Sequence, residues 1–273
     1  MNTISNVMFI VDESGSMGGE QDFLEQTVID KLDADLATAG VTNRSYGVIG
    51  YGGKPATART VGPGLTDAAG AKINLGALNT SGGFEDGYQA IDYALNNLNF
   101  TSGAAINFIL VTDEDRDVTS GTSFTTAGML AALKSSKILL NAVISNPFTS
   151  TSANASEVIE LSEDGTAYVA DGMGGYITDT GGTVGNGAGT TEADYAELAL
   201  DTGGAAWNLN LLRAGGDKAL SFADAFIDTK VAEIISQPPT GTSPVPLPAG
   251  MPLLLAGLGA FGVARARSKK AKA

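Results

Sequence analysis

The chain has no cysteine and no histidine in its 273 residues. That removes thiol nucleophiles, disulfides, imidazole general bases and the common zinc ligand sets together. Aromatic residues are sparse at 7%, with a single tryptophan. Bases are the scarcer charge: 16 Lys and Arg stand against 30 Asp and Glu, a formal net charge of −14. Arg265, Arg267, Lys269, Lys270 and Lys272 fall in the last nine residues with no acid among them, so the rest of the chain is more acidic still. Such a body repels nucleic acid, and no nucleic-acid partner is expected. It suits divalent cations, and any metal must be a hard ion held by oxygen. Adaptation to high salt accounts for the acidity equally well.

What is present supports a folded body. Hydrophobic residues make up 43%, enough for a core. The 36 glycines exceed the usual ~7% and point to loops and tight turns. The length allows one large domain or two small ones.

Residues 4–11, ISNVMFIV, read as a short, apolar, buried strand that ends at the small polar loop DESGSMGG. Residues 20–39 read as an amphipathic helix, with Leu24, Val28, Leu32 and Leu36 at i+4 spacing. Strands are expected at 45–51, more weakly at 56–61, and at 105–112, 138–144 and 205–209. Helices are expected at 85–98, 124–136, 194–201 and 217–235. Apolar strands alternating with helices predict an α/β fold: a doubly wound, mostly parallel, Rossmann-like sheet flanked by helices, over residues 1–236. Residues 146–193, rich in Ser, Thr, Gly and Asp, read as an insertion with a hairpin of 167–170 and 176–180.

In such sheets ligands bind beyond the carboxyl ends of the strands, where the acidic loops 12–19 and 113–117 fall. Three loops carry chemistry. The first is Asp12-Glu13-Ser14-Gly15-Ser16, whose alternation puts Asp12, Ser14 and Ser16 on one side. The second is Thr80-Ser81-Gly82-Gly83-Phe84-Glu85-Asp86, opening a helix. The third holds Asp113, within TDEDRD. One carboxylate and two hydroxyls suit Mg²⁺, which takes octahedral oxygen and keeps several waters.

This constellation resembles the von Willebrand factor A domain family, whose adhesion-type metal site uses a DxSxS loop, a threonine from a second loop and an aspartate from a third. Asp12, Ser14, Ser16 and Asp113 match that pattern, and LALDTGGAAWNL resembles the family's last helix–GG–strand passage. One position departs: the threonine, counted back from Ala90-Ile91, falls on Glu85. A carboxylate there puts three acids around the ion and weakens its demand for an acidic ligand. The alternatives are that Glu85 is a helix N-terminal acid, or that Thr80 or Ser81 serves instead. The resemblance implies a metal set of Asp12, Ser14, Ser16, Glu85 and Asp113, holding Mg²⁺ or else Mn²⁺ or Ca²⁺. It implies a non-enzymatic binding or adhesion module, without catalytic residues, for a protein or polysaccharide ligand. Asp86, Asp115 and Asp117 are expected as solvated surface acids, and Trp207 as core.

Residues 237–249 read as a Pro/Ser/Thr linker ending in Val245-Pro246-Leu247-Pro248-Ala249. Residues 250–273 read as an apolar transmembrane segment with a basic cytoplasmic tail, which places the domain outside. Motif, span and tail together resemble PEP-CTERM sorting signals of the VPLPA variant. This implies processing by an exosortase-type enzyme and passage from the inner membrane to the cell envelope or exterior of a Gram-negative bacterium. An ordinary C-terminal anchor is the plainer alternative. Export needs a leader, and the chain opens almost inside its first strand, so the true N-terminus is expected upstream of Met1. Two other functions are weighed. One is an intracellular helper subunit of an ATPase or chaperone-like assembly. The other is a metal-dependent hydrolase using Asp12, Glu85 and Asp113, for which Arg116 is the only base in the matched loops.

Overall fold

The β-branched, apolar run at the N-terminus forms strand β1, Ile4–Asp12, and lies at the centre of the sheet. Its alternation sends Val7, Phe9 and Val11 to one core and Met8 and Ile10 to the other. The computed structural model describes residues 2–118, 121, 124–238 and 240. The linker and VPLPA motif beyond 240, and the expected membrane span, lie outside the described residues. No described helix is long and apolar enough to cross a membrane.

After β1 the chain runs through α1 (Gly18–Phe23), a π-helical turn (Leu24–Val28) and α2 (Ile29–Thr38) into β2 (Asn43–Tyr51) and β3 (Arg59–Thr60). Helices α3 (Ala68–Leu75) and α4 (Gly87–Asn97) precede β4 (Ala105–Thr112), α5 (Thr126–Ser135) and β5 (Ile138–Ile144). Five strands follow: β6 (Phe148–Thr149), β7 (Val158–Ser162), β8 (Ala167–Ala170), β9 (Tyr176–Asp179) and β10 (Thr183–Val184). A second π-helical turn (Glu192–Ala196) leads to α6 (Glu197–Asp201), β11 (Ala205–Asn208), α7 (Leu209–Arg213) and α8 (Gly216–Ser236).

The main sheet has the order β3-β2-β1-β4-β5-β11-β7-β8-β9. From β2 to β11 its strands are parallel. β3 is antiparallel at one edge, and β7, β8 and β9 are antiparallel at the other. Leu24, Val28, Leu32, Leu36, Phe222, Phe226 and Ile234 cover one face, while Tyr88, Ile91, Met129, Leu133, Tyr195 and Leu198 cover the other. The doubly wound α/β expectation is therefore met.

Three differences matter. The strand expected at 56–61 shrinks to two residues at an antiparallel edge. Residues 146–193 carry the expected hairpin as β8–β9, but β7 joins it to β11, so the segment widens the central sheet. Helices α3 and α7 were not foreseen.

Candidate metal centre

β1 and β4 are adjacent and parallel, while the chain leaving β1 pairs next with β2 on the opposite side. Their carboxyl ends thus frame a topological switch point, where open α/β sheets bind ligands. Asp12 ends β1 and Asp113 follows β4 directly.

Asp12 is fully buried. Its Oδ1 accepts from the Ser14 backbone N–H at 2.7 Å, which turns the loop, and its Oδ2 accepts from Thr112 Oγ1 at 2.9 Å. None of the ion pairs among the described residues includes it. Burial dominates these hydrogen bonds and pushes its carboxyl up to about 6. Ser14 Oγ lies 3.1 Å from Ser16 Oγ, and Ser16 Oγ donates to Asp113 Oδ1 at 3.1 Å. The first and third loops thus meet through a chain of oxygens.

The second loop is clasped to the first. Ser81 N–H donates to Glu13 O, and Gly83 N–H donates to Gly52 O. Buried Gln21 donates to both Asp12 O (3.0 Å) and Asn79 O (2.8 Å). Glu13, also buried, is paired with Arg59 and accepts from Asn79 N–H. Thr80 and Ser81 are exposed; Thr80 lies beside Gly15 and Gly18. A methyl group placed on Gly52 would meet Asp12 Oδ1 and Glu85 Cγ, each at 3.0 Å. The missing side chain at Gly52 is what lets these two acids approach. Burial, with the charges of Asp12, Asp117 and Glu114, pushes the Glu85 carboxyl up to about 8. The backbones at Glu85 and Asp117 are tied at 2.9 Å, joining the second loop to the third.

Among the described residues, no group of three or more acids is arranged to hold an ion by itself. The candidate ligands divide into two carboxylates, Asp12 and Asp113, and two hydroxyls, Ser14 and Ser16, with Glu85 beside Asp12. This donor set is all oxygen and suits a hard divalent cation.

Sequence reasoning missed the cation in this neighbourhood. Arg213, at the end of α7, donates to Asp113 Oδ2 at 2.9 Å and pairs with buried Glu20 at 2.5 Å. Nothing in the sequence links position 213 to position 113; α7 and the fold bring them together. Arg116, the base that the sequence did offer, is buried in an ion pair with Asp86 at 2.9 Å and stacks over Tyr88. Asp86 is therefore not a solvated acid. It also caps α4 by accepting from Gln89 N–H. Asp115 caps Thr190 N–H, and Asp117 accepts from Glu85 N–H.

No protein-family model matches the chain, and no curated protein does. Among solved structures, it is similar to a von Willebrand factor type A protein from Catenulispora acidiphila. The identity is 22% over 52% of this chain and 33% of that one, with a TM-score of 0.36. A variant of the PilB minor pilin from Streptococcus sanguinis is 16% identical over 52% of this chain and 50% of its own, at a TM-score of 0.38. Proximal thread matrix protein 1 from the mussel byssus is 13% identical over 51% and 35%, at 0.36. The chain thus spans a third to a half of the length of these proteins.

Proposed function

We propose that this chain is a metal-ion-dependent binding module of the von Willebrand factor A type, exported and sorted to the cell envelope. Asp12, Ser14, Ser16 and Asp113 would hold Mg²⁺, or Mn²⁺ or Ca²⁺, with Glu85 as a nearby acid. These residues would hold the ion as a Lewis acid towards an oxygen of a protein or polysaccharide ligand. The observation that carries the metal reading is the Asp12 carboxylate: buried, without a cationic partner among the described residues, and set against two hydroxyls and a second acid. A buried charge without a partner is costly, and a divalent cation removes that cost. The Asp12-Glu13-Ser14-Gly15-Ser16 loop and its place at the switch point support the family assignment. Export and processing rest on Val245–Ala249 and the apolar, base-capped segment behind it.

We read the site as non-catalytic. Arg213 is held between Glu20 and Asp113, so its charge is already spent on protein carboxylates. Transition-state charge on a substrate would find little support. Calorimetric titration of the chelator-treated chain with Mn²⁺ or Mg²⁺ tests the proposal. One saturable site in the wild type, lost in Asp12→Asn and weakened in Ser16→Ala, is the expected result. Absence of binding in the wild type would remove the metal from the account.

A further inference from the structure

A second group of reactive side chains lies between β5 and α8. Lys230, on α8, is fully buried, and its Nζ donates to Asn141 Oδ1 on β5. Asn141 is buried as well. Glu233 Oε2 accepts from Lys230 Nζ at 2.8 Å and from Asn141 Nδ2 at 3.0 Å, so one carboxylate oxygen bridges the amine and the amide nitrogen. Asn141 Oδ1 also accepts from the Ala205 N–H at 3.1 Å and from Trp207 Nε1 at 3.2 Å. Asn107 completes the group: its Oδ1 accepts from Asn141 Nδ2 at 3.0 Å and its Nδ2 donates to Glu233 Oε2 at 2.8 Å. Donors on one side and acceptors on the other fix which way the Asn141 amide points.

These are the parts of an acyl transfer. A nucleophile touches a carboxamide, two N–H groups hold the carbonyl oxygen, and a carboxylate reaches both the nucleophile and the leaving nitrogen. The rings of Trp207 and Phe226 lie 5.2 and 5.6 Å from Lys230 Nζ and keep the place apolar. Burial lowers the proton affinity of the Lys230 amine, which favours the nucleophilic form.

We propose that Lys230 and Asn141 become joined by an intramolecular isopeptide bond, formed in the folded chain with release of ammonia. Glu233 takes the extra proton of the Lys230 ammonium. The neutral Nζ adds to Asn141 Cγ, and the carbonyl electron pair moves onto Oδ1, held by the Ala205 and Trp207 N–H groups. Glu233 delivers its proton to Nδ2, the Cγ–Nδ2 bond breaks, and ammonia leaves as the carbonyl re-forms. The new amide nitrogen loses one proton through Glu233 to the departing ammonia. Lysine ammonium and asparagine amide thus give a secondary amide and ammonium, with no oxidant or other reactant required. The bond fastens α8 to a central strand, in a chain that cannot form a disulfide.

Intact-mass measurement of the purified full chain, followed by proteolysis and tandem mass spectrometry, tests this. The expected wild-type mass is lower than the sequence mass by one ammonia, with the peptides that hold Asn141 and Lys230 recovered as one branched species. Glu233→Gln, which keeps the shape of the group, is expected at full mass. A wild-type chain that is folded and at full mass would overturn the proposal. So would an ammonia loss that maps to a succinimide at Asn186-Gly187 and disappears in mild alkali. A Glu233→Gln chain that still cross-links would overturn the role given to Glu233.

Discussion

Glu160 on β7 is fully buried, and one of its carboxylate oxygens has no hydrogen-bond partner among the described residues. Its other oxygen accepts from Ser162 Oγ at 2.8 Å. Burial pushes its carboxyl up to about 8 against the Ser162 hydrogen bond, and the nearby charges of Glu233 and Asp164 add to the rise. The folded chain therefore holds a proton at Glu160 that the unfolded chain gives up near its ordinary value of 4.5. Where the folded state binds more protons, stability falls as pH rises. The contribution is complete below pH 4.5 and is lost as pH climbs towards 8. Urea unfolding at several pH values is expected to show that decline in the wild type and a flatter profile in Glu160→Gln. An equal slope in both would contradict the assignment. Arg213 supports a second expectation at this scale. Arg213→Ala leaves Glu20 buried without its partner, and an unpaired buried acceptor costs roughly 1–3 kcal/mol. The same change releases Asp113, so the midpoint in urea is expected to fall while Mg²⁺ affinity rises. A variant with unchanged metal affinity would show that Arg213 does not compete for Asp113.

At the scale of elements, the site depends on two loops in backbone contact. A methyl group on Gly82 would stand 1.8 Å from Gly52 O, a carbonyl that cannot swing away like a side-chain tip. Gly82→Ala is expected to push the second loop off the first, at about 1–3 kcal/mol as for other overpacked positions. Denaturant unfolding and metal titration of that variant check both effects. The sequence made β1, β4 and β5 plain because their apolar runs are continuous, as strands buried on both faces require. It hid α3, AAGAKINL, whose small residues and glycine give no clear apolar stripe, although Asp67 caps it through Gly70 N–H. It hid β7, VIELS, because buried Glu160 interrupts the apolar pattern within a polar stretch. Within the site, Asp12, Ser14, Ser16 and Asp113 were legible because each ends or follows a strand. Arg213 was not, because its partners at Glu20 and Asp113 are distant in sequence and meet only through the packing of α7.

For the whole molecule, the parallel core of the sheet and its two helical layers place every candidate ligand at one end of the strands. The Lys230–Asn141 group lies on a different element pair, between β5 and α8, so the two proposals stand on separate residues and separate measurements. The central claim is that the switch-point site holds a divalent cation. It is tested most directly by thermal unfolding of the full chain in chelator and then in Mg²⁺, Mn²⁺ and Ca²⁺, beside an Asp12→Ala variant. An ion at 100 times its dissociation constant stabilises the native state by about 2.7 kcal/mol, which corresponds to roughly 5–10 °C for a domain of this size. The account predicts a rise of that order in the wild type and none in Asp12→Ala. An equal melting temperature with and without every ion in the wild type would contradict it.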